Sequence, residues 1–448
     1  MAETKARGEH SHTLTLAERL QVFFKSTAPR IARATKFVQR KSKLTATKFA
    51  QTWIMGFATN PEASLGELAE DAHELGVSIS AQGLDQRLTD QAVSFLKQLF
   101  SEALHDFRND LALELPLLQQ FSAIYLLDSS VIALPDNLQT EFAGCGGDGP
   151  HASAKTQLLF ELLRGNLHAL ILQPGRSADS AYQAHLAHVQ AGALFLQDLG
   201  YFVVAHFRQI DAQKAYFLSR FNTQTAIYDA HTHVRLNLLD ELRGETAPLF
   251  ERDVLIGVDE QLPCRAIFIR LPQEAADRRR QKAIEAAQRR GQTLSPRTLA
   301  LMDWNIYVTN VPATMLSPRQ VAILYGVRWQ IELIFKLWKS YCGLERIAGL
   351  RRARVLCELY GKMIGIVLLH WLIAPLRLGE RELSAVKACQ LWHRYARRIA
   401  RALKSPAKLS SLLETLLERM QCAAVKDRRQ TRLSTLQQLK REAVPSLG

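Results

Sequence analysis

From residue 14 to about residue 115, apolar residues recur at intervals of three and four, the period of helices that bury one face. Within that stretch, Leu65 to Gly76 predicts a short helix closed by its glycine. Ser78 or Ser80 can then cap a second helix running through Leu84 and Leu88. Two short helices joined by a glycine-containing turn have the form of a helix-turn-helix, although structural bundles use the same pairing. The first of the two is acidic, with Glu67, Glu70, Asp71 and Glu74.

At Phe121 the period changes. Ser122 to Leu127 is a short apolar run of strand type that ends on Asp128, and residues 144–150, rich in glycine, read as loop. Lys155 to Leu163 and Leu167 to Gln173 flank Arg164-Gly165-Asn166, a hairpin signal. Ser180 to Gln190 predicts a helix, and Ala193 to Gln197 a further strand ending on Asp198. Three antiparallel strands, a helix and a fourth strand are the opening of a ribonuclease-H-like α/β fold. Short strands follow at 215–220, 254–258, 266–271 and 304–309, with one basic helix from Arg278 through Arg290 that stops at Gly291. A long helix begins at Ser317-Pro318, a serine cap with proline in the first turn. The apolar run Met363 to Leu376 contains His370, Trp371 and Pro375 and is too short to span a membrane; it reads as a buried core helix. From Ile373 onward the chain is helical and basic.

Composition narrows the class. Hydrophobic residues make up 47% and charged ones 22% of the 448, which excludes a disordered or fibrous chain. Lys and Arg total 57 against 43 Asp and Glu, a net charge of +14 that favours a polyanionic partner, nucleic acid or an acidic membrane surface. Eight Lys or Arg and no acid lie between Lys25 and Lys48, interleaved with Phe37, Val38 and Phe49; the run is either a solvated face or a phosphate-contacting surface. Arg394 to Arg441 holds 13 basic residues and three acids. The N-terminus is polar, without the apolar core of a signal peptide, and the six cysteines have no metal-ligand spacing. A reducing, cytoplasmic setting with free thiols is therefore expected.

Two carboxylates stand at strand ends. Each of Asp128 and Asp198 can be explained as a cap on the turn that follows it, but an acid ending an apolar strand is costly unless a cation meets it. A third acid lies in Tyr325 to Lys339, where Tyr325, Arg328, Glu332 and Lys339 are spaced by three, four and seven, one or two helical turns, and so share one helix face. An ordinary Arg–Glu pair on an amphipathic helix gives the same spacing. Ile331, Leu333, Ile334, Phe335 and Leu337 around Glu332 point instead to a partly buried acid beside a phenol, a guanidinium and an ammonium.

The motif Tyr-x2-Arg-x3-Glu-x6-Lys at Tyr325, Arg328, Glu332 and Lys339 resembles the signature of IS4-family DDE transposases. So do Asp128-Ser129-Ser130 and Asp198-Leu199-Gly200-Tyr201, although Leu199 stands where a polar or basic residue is usual. The resemblance spans about Tyr125 to Arg354. It implies that Asp128, Asp198 and Glu332 are catalytic and hold two Mg²⁺ ions, with Mn²⁺ able to substitute. It also implies that Tyr325, Arg328 and Lys339 contact DNA, and that Trp304 sits where a related transposase stacks a flipped base; a strand tryptophan is also commonly core. The implied organisation is a helical DNA-binding region at 1–118 and a ribonuclease-H-like core at 119–220 and 313–372. A β-rich insertion at 221–312 splits that core, and a basic helical region at 373–448 follows it. The implied activity is cleavage of element ends and joining to target DNA, possibly through a hairpin. Its partners are double-stranded DNA (terminal inverted repeats and target) and a second copy in a homodimeric synaptic complex, at the nucleoid and without a membrane. Two alternatives remain open: a domesticated, non-catalytic DNA-binding protein, and a metal-dependent nuclease without strand transfer.

Overall fold

Local chemistry sets the ends of the N-terminal helices. In the computed structural model, which describes residues 16–40, 42–106, 109–113, 115–146, 149–376, 382–427 and 435–442, Ser64 opens the helix Leu65–Glu74 with a capping box. Its side chain accepts from Glu67 N at 3.2 Å, and Glu67 Oε2 accepts from Ser64 N at 2.7 Å. Gly76, at φ +82°, ends that segment, and Ser80 caps Ala81–Asp85, shorter than the pattern predicts. Asp90–Asp106 buries Ala92, Val93, Phe95, Leu96, Leu99, Phe100 and Ala103, a stripe at helical spacing. Each large member contributes about 1.5–3 kcal/mol on burial. The aromatics of the basic run turn inward, Phe37 stacking on Phe95 at 5.0 Å, while Lys25, Arg30, Arg33, Lys36, Arg40 and Lys43 are exposed. Lys41 lies outside the described residues.

The described chain divides into two compact units, within residues 1–113, 129–177 and 332–428 for one, and 114–128, 178–331 and 429–448 for the other. The first is organised around the helix Arg352–Leu376, which is far longer than its most apolar run and buried along most of its length. Its length and composition would suffice to cross a membrane, but 89% of the apolar window is buried, as expected of a core helix. Asp90–Asp106 packs along it. The indoles of Trp53 and Trp371 donate to Cys357 O at 2.7 Å and Ala103 O at 3.2 Å, so neither buried N–H is lost. A Cβ at Gly361 would stand 2.6 Å from the Trp53 ring, so only glycine permits this approach. The helices Ala385–Ala402 and Pro406–Ala423 complete this unit.

The strands are β1 (Ile124–Leu134), β2 (Ala152–Glu161), β3 (Asn166–Pro174), β4 (Leu194–Gln197), β5 (Tyr216–Arg220), β6 (Ile227–Asp229), β7 (Leu249–Ile256), β8 (Leu262–Arg270) and β9 (Trp304–Thr309), ordered β3-β2-β1-β4-β5-β9-β8-β7-β6 in one mixed sheet. β2 and β3 form the expected hairpin, turning at Gly165 (φ +76°). β1, β4 and β5 are parallel, with Leu127 opposite Gln197 and Leu194 opposite Tyr216, and the helix Val204–Ala212 makes the crossover that a parallel pair requires. Leu126, Leu127, Leu194, Phe195 and Leu196 are fully buried, which explains why these strands read as unbroken apolar runs. β9 pairs antiparallel with β5, and β8, β7 and β6 follow, so the strands of 221–312 extend the sheet instead of forming a separate one.

Three predicted elements differ. The strand expected to end on Asp128 runs on through it to Leu134. Residues 180–190 form two short 3₁₀ turns, Asp179–Ala181 and Ala184–His188, in place of a helix. Burial of Tyr182 and His185 against Tyr201 and His206 overrides the helix propensity of Ala and Leu here. The helix expected from Ser317 is broken. Ser317 caps Pro318–Gly326, the chain tightens through i to i−3 bonds (Arg328 N to Tyr325 O and Ile331 N to Arg328 O, both 3.0 Å), and Trp329–Lys336 follows. Gly326, a weak helix former, marks the break.

Candidate active site

The parallel register of β1 and β4 builds the site. Leu127 lies opposite Gln197, so the next residues, Asp128 within β1 and Asp198 just past the end of β4, emerge beside each other where the pairing of the two strands stops. Between them comes Arg328. Its Nη1 donates to Asp128 Oδ2 at 3.1 Å, and its Nε lies 3.9 Å from Asp198 Oδ1. Two carboxylates this close repel, and the guanidinium supplies the charge that lets them coexist. The Asp128 and Arg328 side chains are 16% and 13% exposed and that of Asp198 40%, so the cluster opens to solvent on the Asp198 side.

Tyr325, one turn before Arg328, donates its hydroxyl to Asp198 Oδ1 at 3.5 Å, with its ring against Tyr307 at 4.9 Å. Burial pushes this phenol well above its usual range, with Asp198 adding to the shift and Arg328 opposing it, so Tyr325 acts as a neutral donor. Tyr307 was not anticipated. Strand alternation carries the signal: Trp304, Ile306 and Val308 share one face of β9, and Asn305, Tyr307 and Thr309 the other. Arg279 joins this second face, donating to Asn305 Oδ1 at 3.1 Å, and Arg220 lies opposite Tyr307 on β5. Burial lowers the Arg279 pKa, and the charge of Arg220 lowers it further, a sign that the two cations are close.

The remaining expected residues are placed as follows. Glu332 lies half-buried in the first turn of Trp329–Lys336. Among the described residues, no three His, Cys, Asp or Glu side chains gather closely enough to hold a metal ion. Lys339, in the wide turn Leu337–Tyr341, donates to Val131 O on β1 at 3.0 Å and faces Glu345 at 3.6 Å. Trp304 is 5% exposed, edge-on to Phe250 at 5.7 Å and covered by the Arg270 guanidinium at 4.7 Å. That packing favours a core role for its ring.

The donors that β1 and β4 present are carboxylate oxygens, the hard ligands that suit Mg²⁺ or Mn²⁺, and a cation already sits between them in the form of Arg328. The donor chemistry suits a divalent ion, while in this arrangement the Arg328 guanidinium takes the place between the two carboxylates.

The model of one protein family, described as a transposase DDE domain, matches residues 119–368. The chain is 28% identical over 428 residues to the transposase of insertion sequence element IS1151 from Clostridium perfringens, covering 89% of this chain and 90% of that protein. It is 28% identical over 421 residues to the transposase of IS231F from Bacillus thuringiensis subsp. israelensis, covering 87% of each. Among solved structures it is similar to the cryo-EM structure of a piggyBac transposase synaptic complex with hairpin DNA, with TM-score 0.48 and 9% identity over 93% of this chain and 86% of that one. The family match takes in more than half of the chain, from just before β1 through Asp128, Asp198 and the Tyr325 to Lys339 segment, and the chain belongs to the DDE transposase family.

Proposed function

We propose that this transposase acts on the ends of an insertion sequence, cleaving them from flanking DNA and joining them to a target, with Asp128, Asp198 and Glu332 holding two divalent ions, Mg²⁺ by preference. The observation that carries this reading is the side-by-side emergence of Asp128 and Asp198 from parallel strands around Arg328. The order β3-β2-β1-β4-β5, with β1, β4 and β5 parallel, supports a ribonuclease-H-like core, to which 221–312 adds a β-rich insertion at the β5 edge. When bound, the ions supply activation of the attacking oxygen and stabilisation of the leaving oxygen. The chain's own groups do the positioning. Arg328 offers a planar fork to phosphate oxygens and Lys339 a point charge. Tyr325, held protonated by burial, donates to a backbone oxygen beside the cut.

Hydrolysis frees a 3′-hydroxyl at the element end. That hydroxyl then attacks a phosphodiester, of the opposite strand in a hairpin route or of the target in joining. The exposed cations of Lys25–Lys48 supply phosphate contacts for double-stranded terminal repeats in this reading. Handling two ends together calls for a homodimer, working on DNA in the cytoplasm. The test is cleavage of a labelled element end with Mg²⁺ by Asp128→Asn, Asp198→Asn and Glu332→Gln. Each variant should lose cleavage by at least a hundredfold while binding the same DNA within about threefold of wild type; normal cleavage by any one variant removes that residue from the proposed triad.

A further inference from the structure

Away from the carboxylates, three side chains in the unit that holds Arg352–Leu376 form a line of close contacts. Cys342, at the end of the wide turn Leu337–Tyr341, places its Sγ 3.4 Å from Cys389 Sγ on Ala385–Ala402. His393, one turn beyond Cys389 on the same helix, brings Nε2 to 3.2 Å from that sulfur. Both cysteines are buried and neither is in a disulfide. A small cavity lies against Cys342 and His393, lined also by Phe57, Ala58, Lys362 and Trp392. Lys362 is engaged by Glu358 at 3.1 Å.

The imidazole contributes to the charge state. Nδ1 of His393 is 2.6 Å from Ala58 O, and Nε2 is 3.0 Å from Tyr341 O. Carbonyl oxygens only accept hydrogen bonds, so both contacts are satisfied together when both ring nitrogens carry hydrogen, which is the imidazolium form. A half-buried imidazolium is stabilised by an anion beside it, and the Cys389 sulfur is the facing group. The Cys389 thiol is pushed down, chiefly by the hydrogen bond from Cys342, whose own thiol is pushed up in turn, and, against burial, also by His393. Burial disfavours the charged His393, but its contacts with Cys389 and the two carbonyls outweigh that and raise it. Burial pushes Cys264 and Cys357 far in the opposite direction. The nucleophilic thiolate is what peroxide chemistry requires.

We propose that Cys342 and Cys389 are a peroxide-reactive thiol pair that closes to a disulfide and ties oxidation to the position of the Lys339 turn. The Cys389 thiolate attacks one oxygen of hydrogen peroxide, and the O–O bond breaks. Cys389 becomes a sulfenic acid, and the departing hydroxide takes a proton from His393 to form water. The Cys342 sulfur then attacks the Cys389 sulfur, the S–O bond breaks, and the leaving oxygen departs with the Cys342 proton as a second water. Two thiols have lost two electrons in all, and one peroxide has gained them. Closing the sulfurs from 3.4 Å to the roughly 2.05 Å of a disulfide draws the end of the turn toward Ala385–Ala402. Lys339, three residues earlier in that turn, moves with it.

The experiment treats the whole, reduced wild-type protein with hydrogen peroxide at neutral pH and maps its peptides by mass without reduction. A Cys342–Cys389 linked peptide should form and revert with dithiothreitol, and His393→Gln should slow its formation about tenfold. End cleavage should fall several-fold on oxidation and recover on reduction in the wild type, but not change in Cys342→Ser. If the exposed Cys145 and Cys422 are oxidised while Cys342 and Cys389 stay free, or if Cys389 passes to sulfinic acid without linking, the proposal is overturned. The mapping reads the bond itself, so its result stands apart from the outcome of any transposition assay.

Discussion

Arg328 Nη1 donates to Asp128 Oδ2 at 3.1 Å, and the same guanidinium reaches toward Asp198 from its Nε. The residue proposed to grip phosphate therefore bonds one carboxylate and lies close to the other. Arg328→Ala leaves two like charges adjacent and should lower stability by about 1–3 kcal/mol, toward the lower figure because Asp198 is partly solvated. Added Mg²⁺ should then raise the unfolding midpoint of Arg328→Ala more than that of wild type, since it replaces the lost countercharge. Thermal unfolding with and without Mg²⁺ measures this; equal Mg²⁺ shifts in both proteins would show that the aspartates are not a cation site.

Trp304 begins β9 opposite Arg270, with Phe250 edge-on to its ring. As a core side chain, its truncation to Ala should cost about 3–5 kcal/mol, whereas Trp304→Phe keeps most of the packing. Denaturant unfolding together with hairpin yield on a denaturing gel separates the two roles. Trp304→Phe with near-normal stability and near-normal hairpin yield is expected. A selective loss of hairpins in that variant would restore the base-stacking role.

His185 carries a pH dependence. Burial, then the charge of neighbouring His206, lowers its pKa to about 4 from the ordinary 6.5, so the folded state holds it neutral while the unfolded chain protonates freely. A depressed histidine leaves stability intact above pH 6.5 and removes it progressively as pH falls from 6.5 toward 4, by up to about 3 kcal/mol. Tyr182, His185 and Tyr201 pack together beside the turn that follows Asp198, so this loss should reach the site early. His185→Phe should flatten the fall in unfolding free energy between pH 6.5 and 4.5; parallel curves for the two proteins would exclude His185 as its source.

Much of the chain was legible because its signals are local. The Ser80 and Ser317 caps, the Gly165 hairpin, the apolar runs of β1 and β4, and the aspartates that follow those runs each depend on a few neighbouring residues. The spacing of Tyr325, Arg328, Glu332 and Lys339 is a local signal too, but its reading as one face of one helix does not hold. The chain breaks between Gly326 and Trp329, where a few tighter hydrogen bonds redirect it, and Lys339 lies in the wide turn Leu337–Tyr341.

The tertiary structure decided what depends on partners distant in sequence. Asp128 meets Asp198 only because β1 and β4 pair in parallel with one particular register, and a single-residue slip would turn the side chains to the opposite face. Trp304 is enclosed because β8 and β7 bring Arg270 and Phe250 to it, and the Ala-rich stretch after β3 forgoes a helix because Tyr182 and His185 find burial elsewhere. The approach of Cys342 to Cys389 has no trace in their spacing. It exists because two helices from separate parts of the chain pack side by side, and packing, unlike periodicity, is a property of pairs of segments that neither segment encodes alone.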